Sequence, residues 1–98
     1  EMHNIFSPKK NKGKKKYSIV GPICETSDTF AKEIVLPKQS IDDILIIEDV
    51  GAYGSSMSSN YNSKVLPAEI LIKDNKDYLI RKRQDINELI KRDKIPKL

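Results

Sequence analysis

This 98-residue sequence has a single cysteine, no tryptophan and no long hydrophobic run. Cys24 is the only cysteine, so an internal disulfide is excluded and a reducing, cytoplasmic location is expected. The longest apolar run, 44–47, is far shorter than the roughly 20 residues that a membrane-spanning helix needs, and no charged-then-apolar signal segment opens the sequence. We therefore expect no membrane association. His3 is the only histidine and has no cluster of metal ligands around it, so we also expect no metal site.

Positive charge is concentrated in one segment. The net charge is +4, but removing the six lysines of residues 9–16 from the 18 basic residues leaves 12 against 14 acidic residues, a balance of −2. Pro8, Asn11 and Gly13 favour irregular backbone, so we predict a solvated basic loop over 8–16. Nucleic-acid binding would require phosphate neutralisation by this run. No aromatic platform accompanies it, and we expect no nucleic-acid partner.

Short apolar segments separated by turn residues predict one mainly β domain over 1–98, a barrel or sandwich. The run 44–47 is typical of a strand buried on both faces. A hairpin is predicted around the turn at 74–77. The predicted strands cover 17–20, 30–36, 44–47, 66–72 and 78–80.

Two further segments depart from the strand pattern. Residues 51–62 are rich in glycine, serine and asparagine, which predicts a turn-rich loop near a ligand. Asp85 and Glu88 match a capping box that predicts one C-terminal helix over 84–93, and Pro96 ends the helical pattern.

The residues alone indicate little chemistry. Cys24 stands beside Glu25, whose negative charge favours the protonated thiol over the thiolate. A single cysteine after a strand is most often a small buried hydrophobic residue. Tyr53 and Tyr61 are either ligand contacts or aromatic side chains packed beneath a loop. The sequence contains no lysine-bearing phosphate loop and no assignable Ser-His-Asp set.

Linked motifs add a resemblance to these observations. Residues 21–28, here called the cysteine loop, read Gly-Pro-Ile-Cys-Glu-Thr-Ser-Asp and resemble the Gly-Pro-x-Cys-Glu-Ser-x-Asp signature of the diaminopimelate decarboxylases. Residues 49–54 read Asp-Val-Gly-Ala-Tyr-Gly and resemble the family's Asp-x-Gly-Ala-Tyr-Gly. The stretches 56–63 and 67–69 continue the match in the expected order, and residues 3–5 are similar to a family His-x-Ile segment. Beyond Lys73 the match is looser.

The resemblance implies the C-terminal β-domain of a fold-type III, pyridoxal-phosphate-dependent decarboxylase, related to ornithine and arginine decarboxylases and to alanine racemase. In this family an N-terminal (β/α)8 barrel carries pyridoxal phosphate on a lysine and supplies most of the groups that bind it. The enzyme is a homodimer. The C-terminal domain of one subunit completes the active site of the other. We therefore expect the barrel to be absent from these residues and the segment alone to be inactive. The implied reaction converts meso-2,6-diaminopimelate to L-lysine and CO2 in lysine biosynthesis.

The resemblance also assigns roles to individual residues. Cys24 matches the acid that reprotonates the substrate's α-carbon after CO2 leaves. Glu25 matches the carboxylate that meets the distal amino group of the substrate. Tyr53 matches the tyrosine that contacts the cofactor phosphate and borders the substrate. Asp28 is expected to stabilise the cysteine loop through backbone hydrogen bonds. The interface wall of the site is expected to include Tyr61 and Asn62.

Two alternatives remain at this point. One is a decarboxylase of the same fold acting on ornithine, arginine or carboxynorspermidine; those relatives usually place aspartate after the cysteine, so Glu25 and residues 59–62 favour diaminopimelate. The other is a non-catalytic binding module of the same fold. The joint retention of Cys24, Glu25 and Tyr53 argues against it.

Overall fold

The structure is a computed structural model that describes residues 4–10 and 13–98. His3 and the centre of the basic segment, residues 11–12, lie outside the described residues. Strands predominate over helices, so the prediction of a mainly β fold is confirmed. The elements in chain order are β1 Ile5–Phe6, β2 Lys14–Val20, β3 Thr29–Pro37, β4 Ile46–Ile47, α1 Gly51–Ser56, a 3₁₀ helix Tyr61–Ser63, β5 Glu69–Lys73, β6 Lys76–Arg81 and a 3₁₀ helix Ile86–Leu89.

Within residues 4–10 and 13–98, the strands pair in three antiparallel, two-stranded sheets: β1 with β4, β2 with β3, and β5 with β6. The chain divides into two compact units, Glu1–Ser56 and Met57–Leu98. The first unit contains β1 to β4 and α1, and the second contains the β5–β6 hairpin and the 3₁₀ helices Tyr61–Ser63 and Ile86–Leu89. The prediction of one domain over 1–98, and that of a barrel or sandwich, stay predictions.

The longest ladder, β2–β3, carries half of the basic segment. Lys14, Lys15 and Lys16 pair with residues 37, 36 and 35 of β3, so the predicted basic loop over 8–16 is wrong for its second half. Their backbone groups form the ladder while all three side chains stay exposed, which lets a lysine run form a strand without burying charge. The Lys15 ammonium lies 5.8 Å from the centre of the Tyr17 ring, within cation–π range.

Very little of the first unit is buried. Ile5 and Leu36 are the buried hydrophobic residues among those described, at 9% and 4% exposure. The prediction of a strand over 44–47 buried on both faces is wrong: only Ile46–Ile47 is extended, and Ile44 is 68% exposed. The reason is that β4 pairs over two residues with β1, and such a short ladder leaves its neighbours uncovered.

An ion pair connects the chain after β1 with the turn before β4. Lys9 Nζ lies 2.6 Å from Asp43 Oδ2, which also accepts a hydrogen bond from the Ser40 N–H at 2.6 Å. The hydrogen bond from the Lys9 ammonium, followed by that from Ser40, holds the pKa of Asp43 below its ordinary value.

The second unit confirms the predicted hairpin. Strands β5 and β6 pair from Glu69 opposite Arg81 to Lys73 opposite Lys76, which leaves a two-residue turn. Both turn residues, Asp74 and Asn75, have positive φ, at 52° and 61°, as a type I′ turn requires.

The predicted C-terminal helix over 84–93 is present only as one 3₁₀ turn, Ile86–Leu89. Its capping box is confirmed: Asp85 accepts a hydrogen bond from the Asn87 N–H, and the Asp85 N–H donates to Glu88. Ile86 and Ile90 are 68% and 62% exposed. Leu89 is half-buried, but with two of its three apolar side chains exposed the segment has little packing to offset the cost of ordering the backbone, and the helix does not propagate beyond its cap. In the part of the chain that the structure describes, no helix has the length and apolar character needed to span a membrane.

Candidate active site

The cysteine loop is the closed end of the β2–β3 hairpin. Val20 pairs with Thr29, and the next rung is a hydrogen bond from the Gly21 N–H to the Asp28 carbonyl at 2.9 Å. Two register shifts precede the loop, one between Tyr17 and Ile19 and one between Ile19 and Val20. Such bulges increase strand twist and redirect the chain that follows. The hairpin therefore fixes both ends of the segment that carries Cys24.

Asp28 organises the interior of the cysteine loop. Its Oδ2 accepts a hydrogen bond from the Ile23 N–H at 2.8 Å, which confirms the expected role of Asp28. Gly21 has no side chain at the point where the Asp28 carboxylate lies, and a Cβ on residue 21 would overlap that carboxylate. The glycine is thus required for close approach of a side chain to the backbone.

The backbone turns sharply around the two predicted active-site residues of the loop. The Glu25 N–H donates to the Ile23 carbonyl at 2.8 Å, and the Asp28 N–H donates to the Glu25 carbonyl at 3.2 Å. Cys24, which lies within the first of these turns, is exposed. The interpretation of Cys24 as a small buried hydrophobic residue is therefore wrong: the residue lies in the loop beyond the β2–β3 ladder and is exposed.

The Glu25 side chain is also held within the loop. Ser27 Oγ donates a hydrogen bond of 2.5 Å to Glu25 Oε1. Cys24 and Glu25 are neighbours in the sequence and both are exposed, so the thiol and the carboxylate are accessible in the same loop. Both side chains are therefore accessible to a ligand that approaches this end of the hairpin.

Tyr53 lies on α1, in the same unit as the cysteine loop. Most of the segment 51–62, predicted as a loop, is helical: it contains α1 and the start of the 3₁₀ helix Tyr61–Ser63. The Gly54 N–H donates to the Val50 carbonyl, so the helical hydrogen bonding begins at Val50, three residues after the end of β4. The Tyr53 side chain is 72% exposed. No hydrogen bond joins it to the cysteine loop among residues 4–10 and 13–98.

Tyr61 and Asn62 belong to the second unit and are exposed. Asn62 has φ 55° and ψ 33°, in the left-handed region that asparagine tolerates better than most residues. Gln84 clamps the segment that carries them: its Oε1 accepts hydrogen bonds from Asn60 Nδ2 at 2.6 Å and from the Leu66 N–H at 3.0 Å. The Gln84 N–H donates in return to the Leu66 carbonyl at 3.1 Å.

Among the described residues, Ser27 and Gln84 make side-chain hydrogen bonds that the sequence did not predict. A hydroxyl two residues after a glutamate is a pattern that could have indicated Ser27, since short-range side-chain hydrogen bonds are common in serine-rich turns. No sequence signal indicates Gln84, which lies 24 residues from its partner Asn60. Within the described residues, no group of three or more histidine, cysteine or carboxylate side chains is placed to hold a metal ion.

The family follows from the first half of the chain. Residues 1–51 match the model of the pyridoxal-dependent decarboxylases, C-terminal sheet domain. This match covers more than half of the chain, and the chain belongs to that family. By its description, this family is the C-terminal sheet domain of pyridoxal-dependent decarboxylases. The cysteine loop and β1 to β4 all lie within the matched residues.

The individual relatives are more specific. The chain is 45% identical over 85 residues to diaminopimelate decarboxylase of Helicobacter pylori, covering 87% of this chain and 21% of the relative. It is 40% identical over 94 residues to diaminopimelate decarboxylase of Methanocaldococcus jannaschii, covering 96% of this chain and 22% of that protein. The chain thus spans about a fifth of the length of the curated relatives it matches.

Solved structures agree with these relatives. The crystal structure of diaminopimelate decarboxylase from M. jannaschii superposes with a TM-score of 0.90 at 40% identity, over 96% of this chain and 22% of that chain. The same enzyme in complex with L-lysine also gives a TM-score of 0.90 at 40% identity, over 95% of this chain and 21% of that chain.

Proposed function

We propose that this chain is the C-terminal domain of a diaminopimelate decarboxylase, which converts meso-2,6-diaminopimelate to L-lysine and CO2. The observation that carries the proposal is the cysteine loop, where Asp28 accepts a hydrogen bond from the backbone and the consecutive residues Cys24 and Glu25 are both exposed. Relatives with this name, and a structure of one of them with L-lysine, support the choice of substrate. In this proposal a (β/α)8 barrel and a second subunit complete the enzyme.

The residues of this chain fit a supporting role toward pyridoxal phosphate. Tyr53 presents a largely exposed phenol, a neutral hydrogen-bond donor suited to a phosphate oxygen. The sequence has no glycine-rich phosphate loop, so the main binding groups belong to the proposed barrel. Bound pyridoxal phosphate supplies the electron sink for loss of CO2.

The two exposed groups of the cysteine loop would then divide the work on the substrate. Glu25 pairs with the ammonium group of the distal amino-acid end, which orients the substrate and selects for a second charged end. Cys24 holds a proton at Sγ and delivers it to the carbon that has lost CO2, and solvent restores the proton to the thiolate afterwards. A weak acid suits this step because it remains protonated until the carbon becomes basic.

The experiment measures lysine formation from meso-diaminopimelate by the full-length protein that contains this chain, loaded with pyridoxal phosphate. Cys24→Ala removes the proton donor, and Cys24→Ser is the matched control that keeps the size but replaces the thiol with a weaker acid. We expect about a 10²-fold or greater loss of kcat in Cys24→Ala, in line with the usual contribution of a general acid. Decarboxylation of ornithine or arginine in place of diaminopimelate would contradict the proposed substrate, and inactivity on all of them would contradict enzymatic function.

A further inference from the structure

We propose that Ser27 is a positioning residue that sets the orientation of the Glu25 carboxylate toward the substrate's distal ammonium group. This inference deepens the function proposed above and rests on it. The signature that the cysteine loop resembles specifies the cysteine, the glutamate and the aspartate, but it leaves the position of Ser27 open. The role of Ser27 therefore comes from the geometry of this chain.

The backbone around Glu25 is already fixed without Ser27. The Glu25 N–H donates to the Ile23 carbonyl, and the Glu25 carbonyl accepts from the Asp28 N–H. Asp28 is in turn held by its side-chain hydrogen bond with the Ile23 N–H. These contacts restrain the backbone but not the side chain of Glu25, which is exposed and has several rotatable bonds.

Ser27 restrains the Glu25 side chain through one of the two carboxylate oxygens of Glu25. Its hydroxyl donates to Glu25 Oε1 at 2.5 Å, at the short end of the range for O–H···O hydrogen bonds. In the part of the chain that the structure describes, Glu25 Oε2 has no hydrogen-bond partner. The arrangement holds one oxygen and leaves the other available to a cationic group of a ligand.

A carboxylate that is ordered before the substrate arrives has less conformational freedom to lose on binding. Removing the Ser27 hydroxyl should therefore weaken substrate binding more than it slows the chemical step, which takes place at the other end of the substrate. We expect Ser27→Ala to raise KM by about three- to tenfold, the range given by loss of one hydrogen bond.

The experiment compares the full-length, pyridoxal-phosphate-loaded wild-type enzyme with Ser27→Ala and Ser27→Thr. Threonine keeps the hydroxyl and is the matched control. The expected result is a raised KM for meso-diaminopimelate with kcat nearly unchanged in Ser27→Ala, and a KM close to wild type in Ser27→Thr. L-lysine keeps the distal amino group, so its inhibition constant should rise by the same factor in Ser27→Ala.

An unchanged KM and an unchanged L-lysine inhibition constant in Ser27→Ala, measured with an active wild-type enzyme, would overturn the role of Ser27. A wild-type enzyme that makes no lysine would instead contradict the proposed function. In that case crystal structures of the wild type and Ser27→Ala decide the matter, since they need no turnover. A Glu25 carboxylate that moves or becomes disordered in Ser27→Ala supports the positioning role, and one that keeps its place refutes it.

Discussion

Replacing Gly21 with alanine should loosen the cysteine loop from within. The new methyl group would occupy the position of the Asp28 carboxylate, which must move and release the Ile23 N–H that donates to it at 2.8 Å. A hydrogen bond to a charged group contributes about 1.5 to 3 kcal/mol, and we take a value near the lower end, about 2 kcal/mol, because the site is only partly buried. A loss of about 2 kcal/mol corresponds to roughly 30-fold faster exchange of the Ile23 amide hydrogen.

Hydrogen exchange of the peptide that contains residues 21–28, measured in the full-length protein, reads this effect directly. Asp28→Ala removes the same hydrogen bond without adding a methyl group and should accelerate the Ile23 amide by a similar factor. In the double variant the alanine at position 21 meets no carboxylate, so the two effects should not add. Unchanged exchange in Gly21→Ala, or additive effects in the double variant, would refute the overlap with Asp28 as the reason for glycine at this position.

Three further predictions concern contacts outside the cysteine loop. The pKa of Asp43 is lowered in the folded state, so the ionised carboxylate stabilises the fold at pH values above the ordinary pKa of 3.8. This stabilisation is lost as the pH falls through the lowered pKa. Lys9→Met should therefore reduce the loss of stability in acid, measured as a series of unfolding curves at different pH values. Gln84→Ala should destabilise the segment 60–66 by about 1 to 2 kcal/mol, measured as faster hydrogen exchange of the Leu66 amide. Gln84→Glu keeps a hydrogen-bond acceptor and should leave the exchange of that amide unchanged. Asp85→Ala should cost about 0.5 to 2 kcal/mol at the cap, read from the Asn87 amide, and an undisturbed amide there would argue against the capping box.

The features that local sequence determines were predictable. The 74–75 turn is enclosed by apolar segments, and the Asp85–Glu88 spacing defines a cap within four residues, so both appear where expected. The aspartate of the cysteine loop was also assigned its correct role from the motif, because its partner Ile23 lies only five residues away.

The features that depend on what packs above and below a segment were not predictable. The sequence of 44–47 is equally apolar whether or not another element covers it, and in the structure Ile44 is exposed. Lys14–Val20 forms a strand because β3 supplies a backbone partner, although its first three side chains are all charged. Gln84 acts through side-chain hydrogen bonds with Asn60 and Leu66, which are distant in the sequence, and such bonds leave no periodic trace.

The type I′ turn at 74–75 has a consequence for the order of folding. Strands β5 and β6 meet after a two-residue turn, whereas Ile5 of β1 must find Ile47 of β4 across 42 residues. Hairpins close in about 1 to 10 μs, and contacts of larger sequence separation form more slowly because a longer loop must be closed first. The β5–β6 hairpin is therefore expected to be present early, while the β1–β4 pair, from which the chain enters the helix of Tyr53, is completed later.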